Sequence, residues 1–371
     1  MTGSHRGGIL SFLVLLVLLA SALPIGPMSD LPGDEGGMSL PLTDARLSIR
    51  EEYVVDGVET WDEVDVTTFG HLIIPEGATL VCSRVTMAGL AIVELTGGDL
   101  VIVGDGSSER AQGMNGTCKS LLISGGSTIT IDARDRTYDK DKTRGPDVEI
   151  NVRAQREILV MNARIELFAG DGSSDKPPYA GLDINGRRFS GGDARFSLRT
   201  LAVFSQVSII NTTVIVQAGS GGDAADGQSA SSRSPALGGG YTQGGSVSGR
   251  VGAGGHVTVA LISNNVTLDG STITGSAGSG GDAGDGGTVL AGATYGAGGG
   301  GYSGGAGAGY PDELMTDGGD VSGAVGRGGN AVLSMEAFDL IQRNTSVVMV
   351  AGDGGAAGRG GDSAGIGGGG G

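Results

Sequence analysis

The chain has 371 residues, 75 of them glycine, about three times the roughly 7% usual in globular proteins. Only 10 prolines accompany them, which excludes a collagen triple helix, and 4% aromatic content argues against a core built on large rings. The formal net charge of −17 argues against a nucleic-acid partner, because a duplex is held by clustered positive charge.

Ile9 to Leu23 form an uncharged apolar run, ILSFLVLLVLLASAL, preceded by Arg6. The run is shorter than the about 20 residues that span a bilayer. It ends in Ala20, Ser21 and Ala22, a small-x-small cleavage pattern. Residues 1–22 are therefore expected to be a signal peptide, and the protein to be secreted or displayed at the cell surface. An uncleaved N-terminal anchor is the alternative. Residues 23–45 hold four prolines among Gly and Asp and read as a linker.

Residues 46–150 contain short alternating strands between Gly turns, as in GHLIIPEGATL, LAIVELTGGDLVIVGDGSS and KSLLISGGSTITIDA. They read as N-terminal coils or a cap. A loop after them interleaves Asp132, Asp135, Asp139, Asp141 and Asp147 with Arg134, Arg136, Lys140, Lys142 and Arg144. Alternating charge of this kind marks a solvated loop. It also fails as an EF-hand, with Arg144 where Gly is needed and Ile150 where Glu is needed.

Residues 151–371 repeat. NARIELFAG starts at Asn162, NTTVIVQAG at Asn211, GSTITGSAG at Gly270 and NTSVVMVAG at Asn344, at spacings of 49, 59 and 74 residues. Ile165, Val214, Ile273 and Val347 occupy one position of the repeat, and Ile158, Val207, Val266 and Leu340 another. A third position holds Val160, Ile209 and Leu268, broken by Gln342. Each unit reads as two short strands with period-2 alternation, joined by a bend that starts with Asn or Gly, residues that tolerate left-handed backbone angles. A single unit cannot bury its aliphatic row, whereas stacked units can. The fold expected is all-β, a parallel β-helix (solenoid).

Between the strands lie Gly-rich excursions that also repeat. AGSGGDAADG at Ala218 recurs as AGSGGDAGDG at Ala277 and loosely as AGDGGAAGRG at Ala351; VSGRVGAGG at Val247 recurs as VSGAVGRGG at Val321. Glycine often falls on every third residue, as at Gly352, Gly355 and Gly358. That period suits an extended polyglycine-II-like helix whose close neighbours leave no room for a side chain; floppy loops are the competing reading. The chain stops at Gly371 before the strand pair expected after Ala351, so truncation at the C-terminus, which would leave room for a lost anchor, is expected, with a ragged native end as the alternative.

Aliphatic strand pairs, Asn or Gly bends, Ala-Gly exits and Gly-rich inserts together resemble secreted right-handed β-helix proteins of the pectin-lyase-like and filamentous-haemagglutinin-like type. The resemblance covers roughly Ile150 to Gly371. It implies a right-handed helix and either a polysaccharide lyase or hydrolase, or an adhesin or surface-layer component. The fold alone does not choose between these.

Catalytic residues are not assigned. His5 lies in the signal segment, His71 starts a strand, and His256 stands where the next repeat has Asn330, so no Ser-His-Asp or Cys-His arrangement is suggested. Asp223, Asp226, Asp282 and Asp285 recur within the Gly excursions and are candidate Ca²⁺ ligands together with flanking carbonyls. Solubilising charge is the other reading, since residues from Ala218 onward hold five Arg, no Lys and thirteen acids. No other cofactor is expected. Asn115, Asn211, Asn265 and Asn344 lie in glycosylation sequons. Cys82 and Cys118 form either one disulfide or two unrelated thiols in neighbouring strands. Tyr241, Tyr295, Tyr302 and Tyr310 offer faces for sugars or a partner, or simply pack over Gly backbone. Short Thr rows such as Thr128 and Thr130 hint weakly at an ordered-surface binder. The function expected is an exported, non-enzymatic structural or adhesin-like protein whose partners are carbohydrate or cell-envelope components; a carbohydrate-active enzyme is the alternative.

Overall fold

The computed structural model describes residues 46–103, 111–134, 144–172, 190–224, 226, 251–285 and 325–359, with short strand pieces elsewhere. The signal segment, the linker, Asp135, Asp139, Asp141 and the four excursion tyrosines lie outside the described residues. The described residues belong to one compact unit within Leu42–Gly371.

Every described element is a strand, and the strands gather mainly into two sheets, of 13 and 8 strands. In the smaller sheet each strand pairs in parallel with its counterpart in the next repeat. The sheet runs from Val58–Thr60 through Thr79–Cys82, Asp99–Val103, Thr128–Asp132, Arg164–Phe168, Thr213–Gln217 and Thr272–Ser276 to Ser346–Val350. The larger sheet receives two strand positions from each repeat. Ala194–Thr200 and Gln206–Ile210 come from one repeat, Val257–Ile262 and Asn265–Asp269 from the next. In three earlier repeats the two positions fuse into one long strand, as in Val148–Met161.

The expected right-handed parallel β-helix of strand pairs is therefore corrected. The strands form two parallel sheets of 13 and 8, with three strand positions per repeat where two were expected. The missed position is the stretch typified by VTVALI at Val257–Ile262, which precedes the aligned segments. Large parallel sheets usually occur in doubly wound α/β proteins, where crossover helices cover their faces. No helix is present among the described residues. Each sheet instead covers the inner face of the other, and residues from both form one buried cluster.

The alternation explains that cluster. Ile158 pairs with Val207, Val207 with Val266, and Val266 with Leu340, so one aliphatic row runs up the stack. Ile165, Val214, Ile273 and Val347 form the facing row on the other sheet. Most of these side chains are fully buried, each worth about 1.5–3 kcal/mol. Where Gly275 leaves a gap, Met349 fills it: a Cβ on Gly275 would lie 2.7 Å from the Met349 sulfur. Tyr53, Trp61 and Leu47 pack over the first layer of the core. The Glu59 carboxylate ties two of them, accepting from Tyr53 Oη (2.5 Å) and Trp61 Nε1 (3.1 Å).

The bend residues behave as their chemistry requires. Asn162, Asn211 and Asn344 have φ near +47° (48°, 46° and 46°), and Gly270, at the equivalent position, has φ of 59°. The following hydroxyls close the corner: Thr212 Oγ1 donates to the Ile210 carbonyl (2.8 Å) and Ser271 Oγ to the Asp269 carbonyl (2.9 Å).

Among the described residues, the ends of the Gly excursions form a hydrogen-bonded layer. Gly192 N–H donates to the Gly170 carbonyl (2.8 Å), Gly219 to Gly192 (3.0 Å), Gly255 to Gly219 (2.8 Å), Gly278 to Gly255 (3.0 Å) and Gly329 to Gly278 (2.8 Å). Outgoing and returning segments thus alternate along one chain of bonds. A Cβ on Gly278 would lie 1.8 Å from the Gly219 carbonyl oxygen, and one on Gly352 1.9 Å from that of Gly278. Only glycine permits this approach.

Candidate functional site

The outward face of the larger sheet carries the densest set of chemistry-bearing side chains. Because alternate residues of a strand face outward, the parallel register stacks Arg46, Glu63, Arg84, Gly113, Glu149 and Arg195 in one row. Ser48, Asp65, Thr86, Asn115, Asn151 and Ser197 form the row beside it. The first row alternates in sign except at Gly113, where a Cβ would lie 1.7 Å from the Glu149 carbonyl oxygen. The second row is small and polar.

Contacts within the strip are specific. Asp65 accepts from Arg46 Nε and from the Thr86 hydroxyl. Glu63 lies 3.8 Å from both Arg46 and Arg84. Asn115 Nδ2 donates to Glu149 Oε1 at 3.2 Å. These environments separate two carboxylates. Burial pushes Glu149 above the ordinary carboxylate range, and the charges of Arg195 and Arg84 with the Asn115 hydrogen bond offset it only in part. At Asp65 burial also acts upward, but hydrogen bonds from Arg46 and Thr86 and the nearby guanidiniums outweigh it, so its carboxyl is held low.

A raised and a lowered carboxylate are the usual acid and base of glycoside hydrolysis. Here Asp65 and Glu149 stand on strands three steps apart, at least about 14 Å at roughly 4.8 Å per step. Hydrolases hold their pair within about 5–9.5 Å. The strip is thus better shaped to bind an extended polar ligand than to cleave one.

The candidate Ca²⁺ ligands serve as rungs between repeats. Asp223 Oδ1 accepts the backbone N–H of Asp282, and Asp226 Oδ1 that of Asp285, both at 2.8 Å. Asp282 and Asp285 accept in turn from Ala356 and Arg359, both at 2.6 Å. The four residues are stacked as the repeat implied, with one oxygen of each carboxylate already used. Among the described residues no three His, Cys, Asp or Glu side chains gather as a metal site.

A second column of rungs absorbs His256. Asp147 Oδ1 accepts from Asp193 N–H (2.7 Å), Asp193 Oδ1 from His256 N–H (2.8 Å), and His256 Nδ1 from Asn330 N–H (2.8 Å). Arg144 braces the column from outside, 3.0 Å from Asp147 and 2.7 Å from Asp193. His71 begins its strand and lies 3.4 Å from Glu94.

The disulfide reading is corrected. Cys82 and Cys118 are both free and buried, on strands of different sheets, and burial pushes each thiol up to about 12. Of the sequon residues, Asn211 and Asn344 are exposed at left-handed corners, while Asn115 and Asn265 are half-buried within strands. The Thr rows are interrupted. Thr128 pairs with Asp99 on one side and Arg164 on the other, which leaves no regular Thr array there.

Sequence reasoning missed both the charged strip and an apolar loop. Arg199 pairs with Ile262 and Gln206 with Asn265. Six residues, Thr200 to Ser205, therefore stand where the next repeat has two, Ser263 and Asn264. The extra stretch includes Leu201, Ala202, Val203 and Phe204, all exposed. Aligning these two repeats strand by strand would have revealed the insertion.

A comparison with family models, with curated proteins and with solved structures finds no match. The likeness to secreted β-helix proteins stays a reading of motifs. No described helix is long and apolar enough to cross a membrane.

Proposed function

We propose that the protein is an exported, non-enzymatic structural or adhesin-like protein of the cell surface, and that its outer strip binds carbohydrate or cell-envelope polymer. The observation that carries this reading is the pair of rows, Arg46 to Arg195 with a gap at Gly113 and Ser48 to Ser197, the last of them buried, which keep register across six strands. A flat array of hydrogen-bonding and charged groups on rigid strands suits a long polar chain. The Asp columns support the same reading, because they use carboxylates to hold repeats together rather than to gather reactive groups.

A second reading, a polysaccharide lyase or hydrolase, draws support from the opposed shifts of Glu149 and Asp65. One experiment separates the two. Purified Leu23–Gly371 is applied to neutral and acidic polysaccharides, with calcium and with chelator, while retention and product are followed together. Retention without product, weakened by Arg84→Ala and Asn115→Ala, supports the binding role. Product formation abolished by Glu149→Gln would replace it with the enzymatic one.

A further inference from the structure

The apolar insertion is built, not slack. Ser205 Oγ donates to Thr200 Oγ1 (2.6 Å) and Thr200 Oγ1 to Ser263 Oγ (2.6 Å), a buried hydroxyl knot at the base of the loop. Leu201 N–H donates to the Ala154 carbonyl (3.0 Å), and Asn264 Nδ2 holds the Val203 carbonyl. On this base Phe204 is 96% exposed and Val203 70%, and Phe338, in the corner of a later repeat, is 87% exposed. Apolar side chains held rigidly in water are unfavourable unless something covers them.

The surroundings narrow what that is. Leu201 to Phe204 are all exposed and help to line the hollows beside them, so the stretch suits a soft layer that can close around it. Two hollows flank it, of about 460 Å³ and 400 Å³. The first is lined by Arg156 and Glu157 beside Phe204, the second by Arg199 and Glu336 beside Leu201. Each hollow thus offers one cation and one anion next to apolar side chains. That combination complements a zwitterionic headgroup, with its phosphate toward Arg and its ammonium toward Glu. The chain's net charge of −17 repels an anionic surface.

We propose that Leu201–Phe204 and Phe338 form a peripheral contact for a zwitterionic phospholipid surface, with the apolar tips in the acyl boundary and the two hollows at headgroup level. This contact is separate from the polar strip and does not rest on the function proposed above.

The test uses the compact unit Leu42–Gly371, which leaves out the apolar run Ile9–Leu23, with the full chain in parallel. Sedimentation with phosphatidylcholine vesicles should carry the unit down. The triple substitution Leu201→Ser, Val203→Ser and Phe204→Ser should lower partitioning at least tenfold with an unchanged melting temperature, and Phe338→Ser should lower it less. In Phe204→Trp, vesicles should shift the emission to the blue. Replacing a third of the phosphatidylcholine by phosphatidylglycerol should weaken binding. Absence of binding, binding indifferent to the triple substitution, or binding only to the anionic vesicles would overturn the proposal. So would loop-dependent self-association without lipid, measured by light scattering, which would assign the patch to a second copy of the chain.

Discussion

Asp193 Oδ1 accepts the backbone N–H of His256, 2.8 Å away and 63 residues further along the chain. The bond spans two repeats, and His256 passes the same role on to Asn330. Side chains that reach up to the next backbone recur in the Asp223 and Asp226 columns, so these acids are part of the scaffold.

Replacing Asp193 with Ala should destabilise the protein by about 0.5–1.5 kcal/mol, the net worth of one such bond at a half-exposed site. Asp193→Asn, which keeps the acceptor, should recover most of the loss. Denaturant titration reads both. Under the same conditions chelator should leave the melting temperature unchanged.

Glycine positions should divide sharply. Gly278→Ala would drive a Cβ to 1.8 Å from the Gly219 oxygen, whereas the nearest atom to a Cβ on Gly354 is 3.7 Å away. Gly278→Ala should cost about 2–3 kcal/mol through forced backbone shifts. Gly354→Ala should be neutral or stabilise by about 0.4–1 kcal/mol, because it restricts the unfolded chain. Thermal melts of the two variants make the comparison.

The left-handed corners give a related contrast. Asn211 has φ of 46°, a region that β-branched residues avoid. Asn211→Val should cost about 1–2 kcal/mol, and Asn211→Gly should be close to neutral in the same melts.

Of the three strip carboxylates, Asp65 and Glu149 should respond to pH in opposite directions. Asp65 is held below its ordinary value, so its contribution is present above the unfolded pKa and is lost as pH falls through the folded one. Asp65→Asn should therefore weaken the protein at pH 7 and matter little in strong acid. Glu149 is raised, so the stability linked to its protonated form is complete below the unfolded pKa and fades as pH rises through the folded one. Glu149→Gln should hold or slightly raise stability at pH 7, an effect that vanishes in acid. Urea midpoints across pH 2–8 check both signs.

Cys82 and Cys118 should resist thiol reagents at pH 8 in the folded protein, because burial raises both thiols to about 12 and the thiolate is the reactive form. Both should label after unfolding, without prior reduction. A thiol count taken before and after denaturant tests this.

The strand rows, the left-handed bends and the recurrence of the Gly excursions were legible in the sequence, because each rests on local periodicity or on the backbone freedom of one residue type. Ile158, Val207, Val266 and Leu340 already share a position in the aligned segments, and the register stacks them. What three-dimensional packing alone decided is how the strands gather. The third strand position in each repeat and the grouping into sheets of 13 and 8 follow from pairing partners tens of residues apart, which no local pattern encodes. The same holds for the candidate sites. Glu63, Arg84 and Glu149 look unrelated along the chain and become one row only through register. Asp223 and Asp282 stand 59 residues apart in the chain, and only the register shows that one accepts the backbone N–H of the other. Cys82 and Cys118 look like a disulfide until burial on different sheets separates them.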